Sequence, residues 1–269
     1  MIHLINQANR HLYSRQLAQM HQLRREVFVE GRGWPLKVLE DGGEYDEGDD
    51  DQAIYLLGLD DDGDVVVGIR GRPTEDWSCV TDVLPHMVEG DTAQLKSPQI
   101  WEMARYFAVG RAAAGEFGLQ IGRELRLSLI EAALMAGVHT VVGVCDTYYF
   151  GPALGCGWRT RPLGEAQSYG EGNGIAIALE VSDDALADMR TRLGSPAPVL
   201  LRVPEDAPWA SLPPEMIEAV HLVAIDVCEG DYDRIREFAA PALQALTVRL
   251  CEDFYRRAEA TVTALGAAA

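Results

Sequence analysis

The sequence predicts an α/β domain that is followed by a C-terminal helical extension. A strand–turn–strand pattern occupies residues 53–71, and a helical pattern at 118–137 leads directly into a buried strand at 139–146. After about residue 194 the chain becomes rich in proline and then helical, which indicates a connector and an appended element. We therefore divide the 269 residues into a domain at 1–195 and a Pro-rich connector with a helical extension at 196–269.

The first half of the domain is predicted to contain a helix, an acidic loop and three strands. Residues 11–30 carry apolar side chains at helical spacing, whereas residues 40–52 are too acidic and glycine-rich for a regular element. The segments "AIYLLGL", "DDDGD" and "VVVGIRG" at 53–71 predict a β-hairpin with a tight turn. A further strand is predicted at 99–109.

The second half alternates helices with strands. Gly137 is placed to end the helix at 118–137, because glycine readily adopts the left-handed conformation that follows many helices. The other predicted elements are the strands at 139–146 and 174–182, the helices at 148–155 and 183–193, and the helices of the extension at 214–226 and 231–264.

Composition narrows the choice of partners. The formal net charge is −19, and nucleic acids and anionic membranes are recognised through lysine and arginine, so we expect neither as a partner. We see no apolar run of membrane-spanning length and no apolar block of a secretion signal, so we expect a cytoplasmic protein. The five cysteines form no CxxC pair and no zinc-like cluster with histidine, so we expect no metal site.

Five short motifs resemble, in order and spacing, those of the acyl-homoserine-lactone synthases, the LuxI-type autoinducer synthases. Each motif alone is weak, but the ordered set at matching spacing is fairly specific, and the resemblance covers about residues 5–195. The motifs are "RREVFVEGRGW" at 24–34, "EYDEGD" at 44–49, "RGRPT" at 70–74, "DVLPHM" at 82–87 and "WEMARYFAV" at 101–109.

The resemblance implies a fold and a reaction. The fold is the GNAT-like three-layer α/β/α arrangement, in which a mixed, mostly antiparallel sheet is splayed by a V-shaped cleft. The reaction joins an acyl thioester to S-adenosylmethionine by N-acylation, closes the lactone and releases methylthioadenosine, as a signal for quorum sensing. Both reactants are substrates, so the family needs no cofactor.

The resemblance also assigns roles to residues. Glu102 matches the proposed general base, which acts through a water and gains basicity from burial. We expect Arg24 to pair with Asp46 or Asp49, whereas Arg25 and Arg32 receive no role and are expected in solvent. Structural roles, namely ion pairs, core aromatics and a solvated acidic loop, remain open as alternatives. The S-adenosylmethionine site is assigned to Arg24, Phe28, Trp34, Asp46, Asp49, Arg70 and Arg105.

The strand at 99–109 requires an irregularity. Residues three apart on a regular strand face opposite sides, so Glu102 and Arg105 can serve one site only across a β-bulge near 103–107. Backbone N–H groups released there, at Phe107 and Ala108, are candidates for an oxyanion hole. We assign the acyl and pantetheine cleft to Phe107, Ala108, Val142 and Val144, and the valines favour an acyl chain without a 3-oxo group.

The acyl donor and the oligomeric state are left open. The donor is an acyl-acyl carrier protein, which family frequency favours, or an acyl-CoA, which the net charge favours because carrier proteins are acidic. A local basic face would offset that charge, and its candidates are Arg111, Arg123, Arg126, Arg159 and Arg161. We interpret the extension as a helical cap or a homodimer contact.

Two other functions compete with the synthase. A GNAT-type N-acyltransferase that uses acyl-CoA on a different amine would keep the glycine-entered helix at 118–137, but it would not need Arg24, Trp34, Asp46 and Asp49 together. A non-catalytic relative would use the extension for protein interaction.

Overall fold

The computed structural model describes residues 1–169, 172–196 and 198–202 of the chain. The helices are α1 (Ser14–Arg24), α2 (Gly115–Met135), α3 (Thr147–Gly155) and α4 (Asp183–Leu193). The strands are β1 (Ile2–Ile5), β2 (Ile54–Leu59), β3 (Val65–Pro73), β4 (Ile100–Ala108), β5 (Thr140–Asp146), β6 (Thr160–Pro162), β7 (Gln167–Tyr169), β8 (Gly172–Glu180) and β9 (Leu200–Arg202). Shorter 3-10 turns lie at Arg10–Tyr13, Pro85–Met87, Thr92–Leu95 and Gly110–Ala113, and π-helical turns lie at Arg25–Gly31 and Cys79–Val83.

The strands form one sheet in the order β6-β8-β5-β4-β3-β2-β1-β9, and β7 pairs with β8 beside this path. The pairs β4–β5 and β1–β9 are parallel, and the other strand pairs of the described residues are antiparallel. The sheet is therefore mixed and mostly antiparallel, as the resemblance implied.

A V-shaped cleft opens between β4 and β5. The two strands pair only where residues 100–102 face residues 140–142. Beyond that apex β4 continues to Ala108 and β5 continues to Asp146, each paired only with its other neighbour among the described residues. The wide end of the V therefore lies between the C-terminal ends of both strands, and the predicted splay is confirmed.

Helices cover both faces of the sheet. Ile2 and Leu4 of β1 pack in a core cluster with α2 residues such as Ile130, and α4 packs against α2. His3, between Ile2 and Leu4 in the sequence, points to the opposite face of the sheet, where its Nδ1 is 3.1 Å from the hydroxyl of Tyr13 at the start of α1. Alternate residues of one strand thus contact different helices, which makes three layers and confirms the predicted fold class.

The bulge in β4 lies where it was predicted. Gly68 of β3 is opposite Phe107 and Arg70 is opposite Ala104, so one residue of β3 faces two residues of β4. Arg105 is one of those two, with φ at 59°, and it is the one non-glycine residue with positive φ in the described part of the chain. A left-handed arginine is costly, so surrounding contacts must hold it in place.

Several short strands were missed, and β9 is the most informative. It falls in the segment interpreted as a connector, yet Leu200 pairs with Ile2 of β1. Buried Glu131 of α2 accepts the N–H groups of Val199 (3.1 Å) and Leu200 (2.9 Å), so tertiary contacts create a strand that local sequence does not favour. The other missed strands, β1, β6 and β7, have three or four residues each.

The compact unit that carries the sheet spans Met1–Glu205. The division after residue 195 stays a prediction, and the helices predicted at 214–226 and 231–264 lie outside the described residues. Within the described residues, no helix combines the length and apolar character that crossing a membrane requires.

Candidate active site

Three arginines and three carboxylates form a closed ring beside the cleft. Each guanidinium contacts two carboxylates, and each carboxylate contacts two guanidiniums. We call this set the arginine–carboxylate ring, and its members in order are Arg24, Asp49, Arg70, Asp46, Arg105 and Glu44.

The contacts of Arg24 are the most regular in the ring. Its Nη1 and Nη2 donate to the two oxygens of Asp49 at 2.7 and 2.8 Å, and its Nε donates to Glu44 at 2.6 Å. The predicted pairing of Arg24 with one of the two aspartates is confirmed, and Asp49 is the partner. Planar bidentate contacts of this kind fix orientation as well as charge.

Arg105 and Arg70 complete the ring from the sheet. Nη2 of Arg105 lies 3.0 Å from Glu44 and 2.7 Å from Asp46. Nη1 of Arg70 lies 3.1 Å from Asp49 and also contacts Asp46. Because the bulge turns Arg105 toward the loop at 44–49, both strand arginines reach the same acidic loop.

The acidic loop is folded by its own side chains. Asp46 accepts the N–H of Gly48 at 2.8 Å, and Asp49 accepts the N–H of Asp46 at 2.9 Å. A Cβ on Gly48 would lie 2.5 Å from Nη2 of Arg70, so only glycine lets the loop approach this close. Glu44 was not among the predicted site residues, although the motif at 44–49 contained it.

Burial and charge set the protonation of the ring. Burial disfavours ionisation of Asp46, but the charges of Arg70 and Arg105 hold the pKa of Asp46 below its usual range. Burial is likewise the largest influence on Asp49, and Arg24 still lowers the pKa of Asp49 strongly. The ring contains three guanidinium groups and three carboxylates, so its formal charges are equal and opposite.

One edge of the ring is less buried than the rest. Side chains of Arg24, Glu44, Asp49 and Arg70 are at most 2% exposed. Arg105 is 9% exposed and Asp46 is 14% exposed. A ligand that approaches the ring therefore meets these two groups first, one cationic and one anionic.

A cavity of about 380 Å³ lies in the cleft next to this edge. Phe28 and Trp34 stack on one side, with ring centroids 5.2 Å apart, and Arg105 Cζ lies 5.8 Å from the Phe28 ring centroid. The opposite walls are mainly apolar. The lining includes Val27, Phe28, Arg32, Trp34, Met103, Arg105, Tyr106, Phe107, Ala108, Leu125, Arg126, Leu129, Val144, Cys145, Asp146, Tyr148, Tyr149, Trp158 and Ile177.

Three of the four residues predicted for the acyl cleft, Phe107, Ala108 and Val144, line this cavity. Val142 instead lies fully buried at the apex, where β5 pairs with β4. The N–H of Val109 donates to Val66 at 2.9 Å, and N–H directions alternate along a strand. The N–H of Ala108 therefore points away from β3 toward the cleft, whereas that of Phe107 points toward β3.

Glu102 lies at the apex of the V and is 3% exposed. Its carboxylate accepts the N–H groups of Cys79 (3.0 Å) and Val80 (2.7 Å) at the start of a π-helical turn. Burial raises the pKa of Glu102 despite these two hydrogen bonds. Among the described residues, the ion pairs of Arg70 and Arg105 do not include Glu102, and Glu102 lies outside the residues that line the cavity.

A second cavity of about 490 Å³ lies at the N-terminal end of α2. Gly118 closes the helix start onto the preceding turn, since a Cβ there would lie 2.7 Å from the carbonyl oxygen of Ala112. Arg123, Arg126 and Arg192 line this cavity, and none of them forms an ion pair with a described residue. Most other described arginines are paired with carboxylates, so cationic charge without a counter-charge is concentrated here.

The predicted basic face is therefore narrower than expected. Arg111 pairs with Asp61, and Arg159 pairs with Glu180 and Asp188 on the surface. Arg123, Arg126 and Arg161 remain from the predicted set, and of these Arg123 and Arg126 line the second cavity. Sequence reasoning missed Arg192, because α4 brings it to the cavity from a distant part of the chain.

The prediction that Arg32 lies in solvent was wrong. Its Nη1 lies 2.9 Å from Asp146 at the end of β5, and its Nη2 lies 3.2 Å from the hydroxyl of Tyr148. Cζ of Arg32 is 5.3 Å from the ring centroid of Trp34.

In the described part of the chain, no group of three or more His, Cys, Asp or Glu side chains is arranged to hold a metal ion.

Comparisons with known proteins agree on one family. Residues 8–189 match the family model described as autoinducer synthase. An isovaleryl-homoserine lactone synthase of Bradyrhizobium diazoefficiens is 33% identical over 199 residues, which cover 73% of this chain and 87% of the relative. An acyl-homoserine-lactone synthase of Rhizobium etli is 26% identical over 182 residues, which cover 66% of this chain and 84% of the relative.

Two solved structures resemble about three quarters of the chain. One is BjaI, a CoA-dependent acyl-homoserine lactone synthase solved with S-adenosylmethionine and isopentyl-CoA. It has a TM-score of 0.68 and 30% identity, over 78% of this chain and 97% of BjaI. The other is MesI, also a CoA-dependent acyl-homoserine lactone synthase, with a TM-score of 0.66 and 27% identity over 74% of this chain and 98% of MesI.

Proposed function

The chain belongs to the autoinducer synthase family, and on that premise we propose that it is an acyl-homoserine-lactone synthase whose acyl donor is a short-chain acyl-CoA. The observation that carries the proposal is the position of the ring. Arg105 and Asp46 form its less buried edge, and Arg105 lines a cleft with aromatic and apolar walls. One site thus offers contacts for a charged amino acid and space for an acyl chain.

The reaction consists of two displacement steps that involve the methionine part of S-adenosylmethionine, and each step forms one bond and breaks another. The α-amine attacks the thioester carbonyl, the C–S bond breaks, and coenzyme A leaves as its thiol with the proton of the amine. The methionine carboxylate then attacks its own γ-carbon, and the C–S bond to the sulfonium breaks. Methylthioadenosine leaves as a neutral thioether, and the lactone ring is closed.

We assign the acceptor site to the ring and the stacked aromatics. Arg105 holds the methionine carboxylate, and Asp46 contacts the ammonium group, since these two groups are the ring members that a ligand can reach. The more deeply buried members of the ring support these two groups, and they are Arg24, Asp49, Arg70 and Glu44. Phe28 and Trp34 offer aromatic faces to the sulfonium.

Glu102 is the proposed general base. An ammonium cannot attack a carbonyl, so the α-amine must first lose a proton. The raised pKa of Glu102, caused first by burial, makes its carboxylate a stronger proton acceptor than an ordinary glutamate. Because Glu102 lies at the apex behind the cavity wall, the proton reaches it through a water.

The donor site is assigned to the other side of the V and the start of α2. The acyl chain lies against Met103, Leu125, Leu129 and Ile177, and the N–H of Ala108 supports the oxyanion of the tetrahedral intermediate. A cavity of about 380 Å³ lies at the small end of ligand sites and favours a short chain.

Coenzyme A is preferred over a carrier protein for three reasons. Arg123, Arg126 and Arg192 have no counter-charge among the described residues, and they face the helix start where phosphates bind well. The net charge of −19 opposes an acidic carrier protein. The structurally similar BjaI and MesI are CoA-dependent.

The donor is tested with purified protein and S-adenosylmethionine. Release of thiol is followed with isovaleryl-CoA, with longer acyl-CoA thioesters, and with the same acyl groups on a carrier protein. We expect the highest kcat/KM with the short acyl-CoA. A higher kcat/KM with the acyl carrier protein would contradict the CoA assignment and leave the synthase assignment standing.

An N-acyltransferase that acylates another amine is the competing function. It would release thiol with that amine and leave S-adenosylmethionine intact, so methylthioadenosine distinguishes the two. A cytoplasmic location and a homodimer through the extension stay part of the proposal, and size-exclusion chromatography with light scattering tests the dimer.

A further inference from the structure

We infer that Arg32 and Asp146 are positioning residues, whose ion pair sets the separation between the acceptor wall and the acyl wall of the cleft. The inference rests on the proposed function. It concerns two residues that received no role from the sequence. Neither belongs to the arginine–carboxylate ring or to the second cavity.

The ion pair joins the two arms of the V at its wide end. Asp146 is the last residue of β5, four positions beyond the last residue that pairs with β4. Arg32 follows the π-helical turn at 25–31, which belongs to the other arm through α1 and β3. Between Nη1 of Arg32 and Asp146 the distance is 2.9 Å, and both residues line the cavity.

The acceptor wall is linked to Arg32 by backbone hydrogen bonds and by a side-chain contact. The N–H of Trp34 donates to the carbonyl of Phe28 at 2.9 Å, and the N–H of Gly33 donates to Val29 at 3.1 Å. These bonds tie both aromatics to the turn that carries Arg32. Cζ of Arg32 is also 5.3 Å from the Trp34 ring centroid, so the side chain and the backbone both link Arg32 to that wall.

The acyl wall belongs to β5, on the other arm of the V. The last three residues of β5 are Val144, Cys145 and Asp146, and all three line the cavity. Beyond the apex, β5 pairs with β8 and has no described backbone partner across the cleft. Tyr148, 3.2 Å from Nη2 of Arg32, adds a second contact from α3 to the same arginine.

The geometry matters because the reaction joins two substrates held on different arms. The amine must approach the thioester carbon to near-attack distance, and misplacement of about 1 Å can reduce a rate by about a hundredfold. Loss of the bridge lets the arms part while the residues assigned to bind each substrate are unchanged. The chemical step therefore slows more than binding weakens.

The test is a double-mutant cycle of Arg32→Gln, Asp146→Asn and the combined variant, with kcat, both KM values, the Kd of S-adenosylmethionine and Tm measured for each. Each single variant is expected to lower kcat about tenfold or more, while the Kd for S-adenosylmethionine changes by less than about threefold. The combined variant is expected to lose no more than either single variant, because both remove the same bridge.

A more exposed surface ion pair provides the control. Arg159→Gln and Asp188→Asn break an arginine–aspartate pair that lines neither cavity, and we expect their kcat to equal that of the wild type. The charge-reversed variant, Arg32→Asp with Asp146→Arg, is expected to recover part of the lost kcat.

Three results would overturn the inference: additive losses in the cycle, a fall in Tm with unchanged kcat, or loss of S-adenosylmethionine binding in step with kcat. If the wild-type protein forms no lactone, both the proposed function and this inference are contradicted. If the wild type forms lactone and the single variants Arg32→Gln and Asp146→Asn are fully active, only this inference is contradicted.

Discussion

Arg105 reaches Glu44 from a left-handed backbone position, with Nη2 3.0 Å from Oε1. The bulge in β4 makes this contact geometrically available, and the contact in turn offsets the cost of the unusual conformation. Glu44 is fully buried and also accepts a hydrogen bond from Arg24. The carboxylate of Glu44 thus connects the helix, the acidic loop and the strand that carries the cleft.

The first prediction concerns this carboxylate. Glu44→Gln removes one negative charge from a buried, charge-balanced ring and leaves Arg24 and Arg105 short of a partner. Removal of one member of a buried ion pair costs about 3–5 kcal/mol, so the free energy of unfolding in urea is expected to fall by about that amount. Glu47→Gln, an exposed change in the same loop, should leave it within about 0.5 kcal/mol of wild type. Equal stabilities of the two variants would contradict the structural role of the ring.

A second prediction tests Arg105 as the group that holds the methionine carboxylate. Arg105→Lys keeps the charge but cannot contact Glu44, Asp46 and a ligand with one planar group. The KM for S-adenosylmethionine is expected to rise about tenfold, while the KM for the acyl-CoA changes little. Arg15→Lys, which alters an exposed ion pair with Asp64, is the control and should match the wild type. A selective rise in the acyl-CoA KM would move Arg105 to the donor side.

The third prediction follows from the raised pKa of Glu102. An ordinary glutamate ionises at about pH 4.3, and burial moves Glu102 above that value. The base is active only when it is deprotonated, so kcat falls as the pH decreases through the raised pKa. The acid limb of the pH profile should therefore lie above about pH 4.3, and Glu102→Gln should abolish that limb along with most of the activity.

Glu102→Gln needs a separate check of folding. The carboxylate accepts two backbone N–H groups, and glutamine offers only one side-chain acceptor for them. Some loss of stability is therefore expected, and the kinetics should be measured well below the melting temperature of the variant. A fully active, folded Glu102→Gln protein would show that the base is another group.

The fourth prediction tests the phosphate site at the start of α2. Arg192→Gln removes a guanidinium that lines the second cavity from α4. The KM for acyl-CoA is expected to rise about fivefold to tenfold, with the KM for S-adenosylmethionine unchanged, and the difference should shrink at high salt. Arg159→Gln, an arginine already neutralised by Glu180 and Asp188, is the matched control. An unchanged acyl-CoA KM in Arg192→Gln would remove Arg192 from the donor site.

Local patterns predicted the regular elements of the fold well. The hairpin, the helix ended by Gly137 and the bulge at Arg105 follow from turn residues, helical spacing and strand alternation, which are written in neighbouring residues. β9 could not be predicted in this way, because its pairing with β1 and its anchor at Glu131 depend on residues far away in the sequence.

Some residues of the candidate site could likewise be predicted from local motifs, whereas others depend on distant parts of the chain. The motifs brought together Arg24, Asp49, Arg70 and Arg105, but they did not reveal that the charges close into a ring or that Glu44 completes it. Arg32 and Arg192 were missed because their partners, Asp146 and the second cavity, lie on other elements. The hydrogen bonds from Cys79 and Val80 to Glu102 likewise depend on the loop at 79–83 folding back over the apex.

The synthase activity is tested most directly by mass spectrometry of a reaction that contains purified protein, S-adenosylmethionine and isovaleryl-CoA. We expect an N-acyl-homoserine lactone together with methylthioadenosine and free coenzyme A in equal amounts, all of which depend on Glu102 and Arg105. Coenzyme A released without methylthioadenosine, or an acylated amine other than homoserine lactone, would contradict the synthase activity.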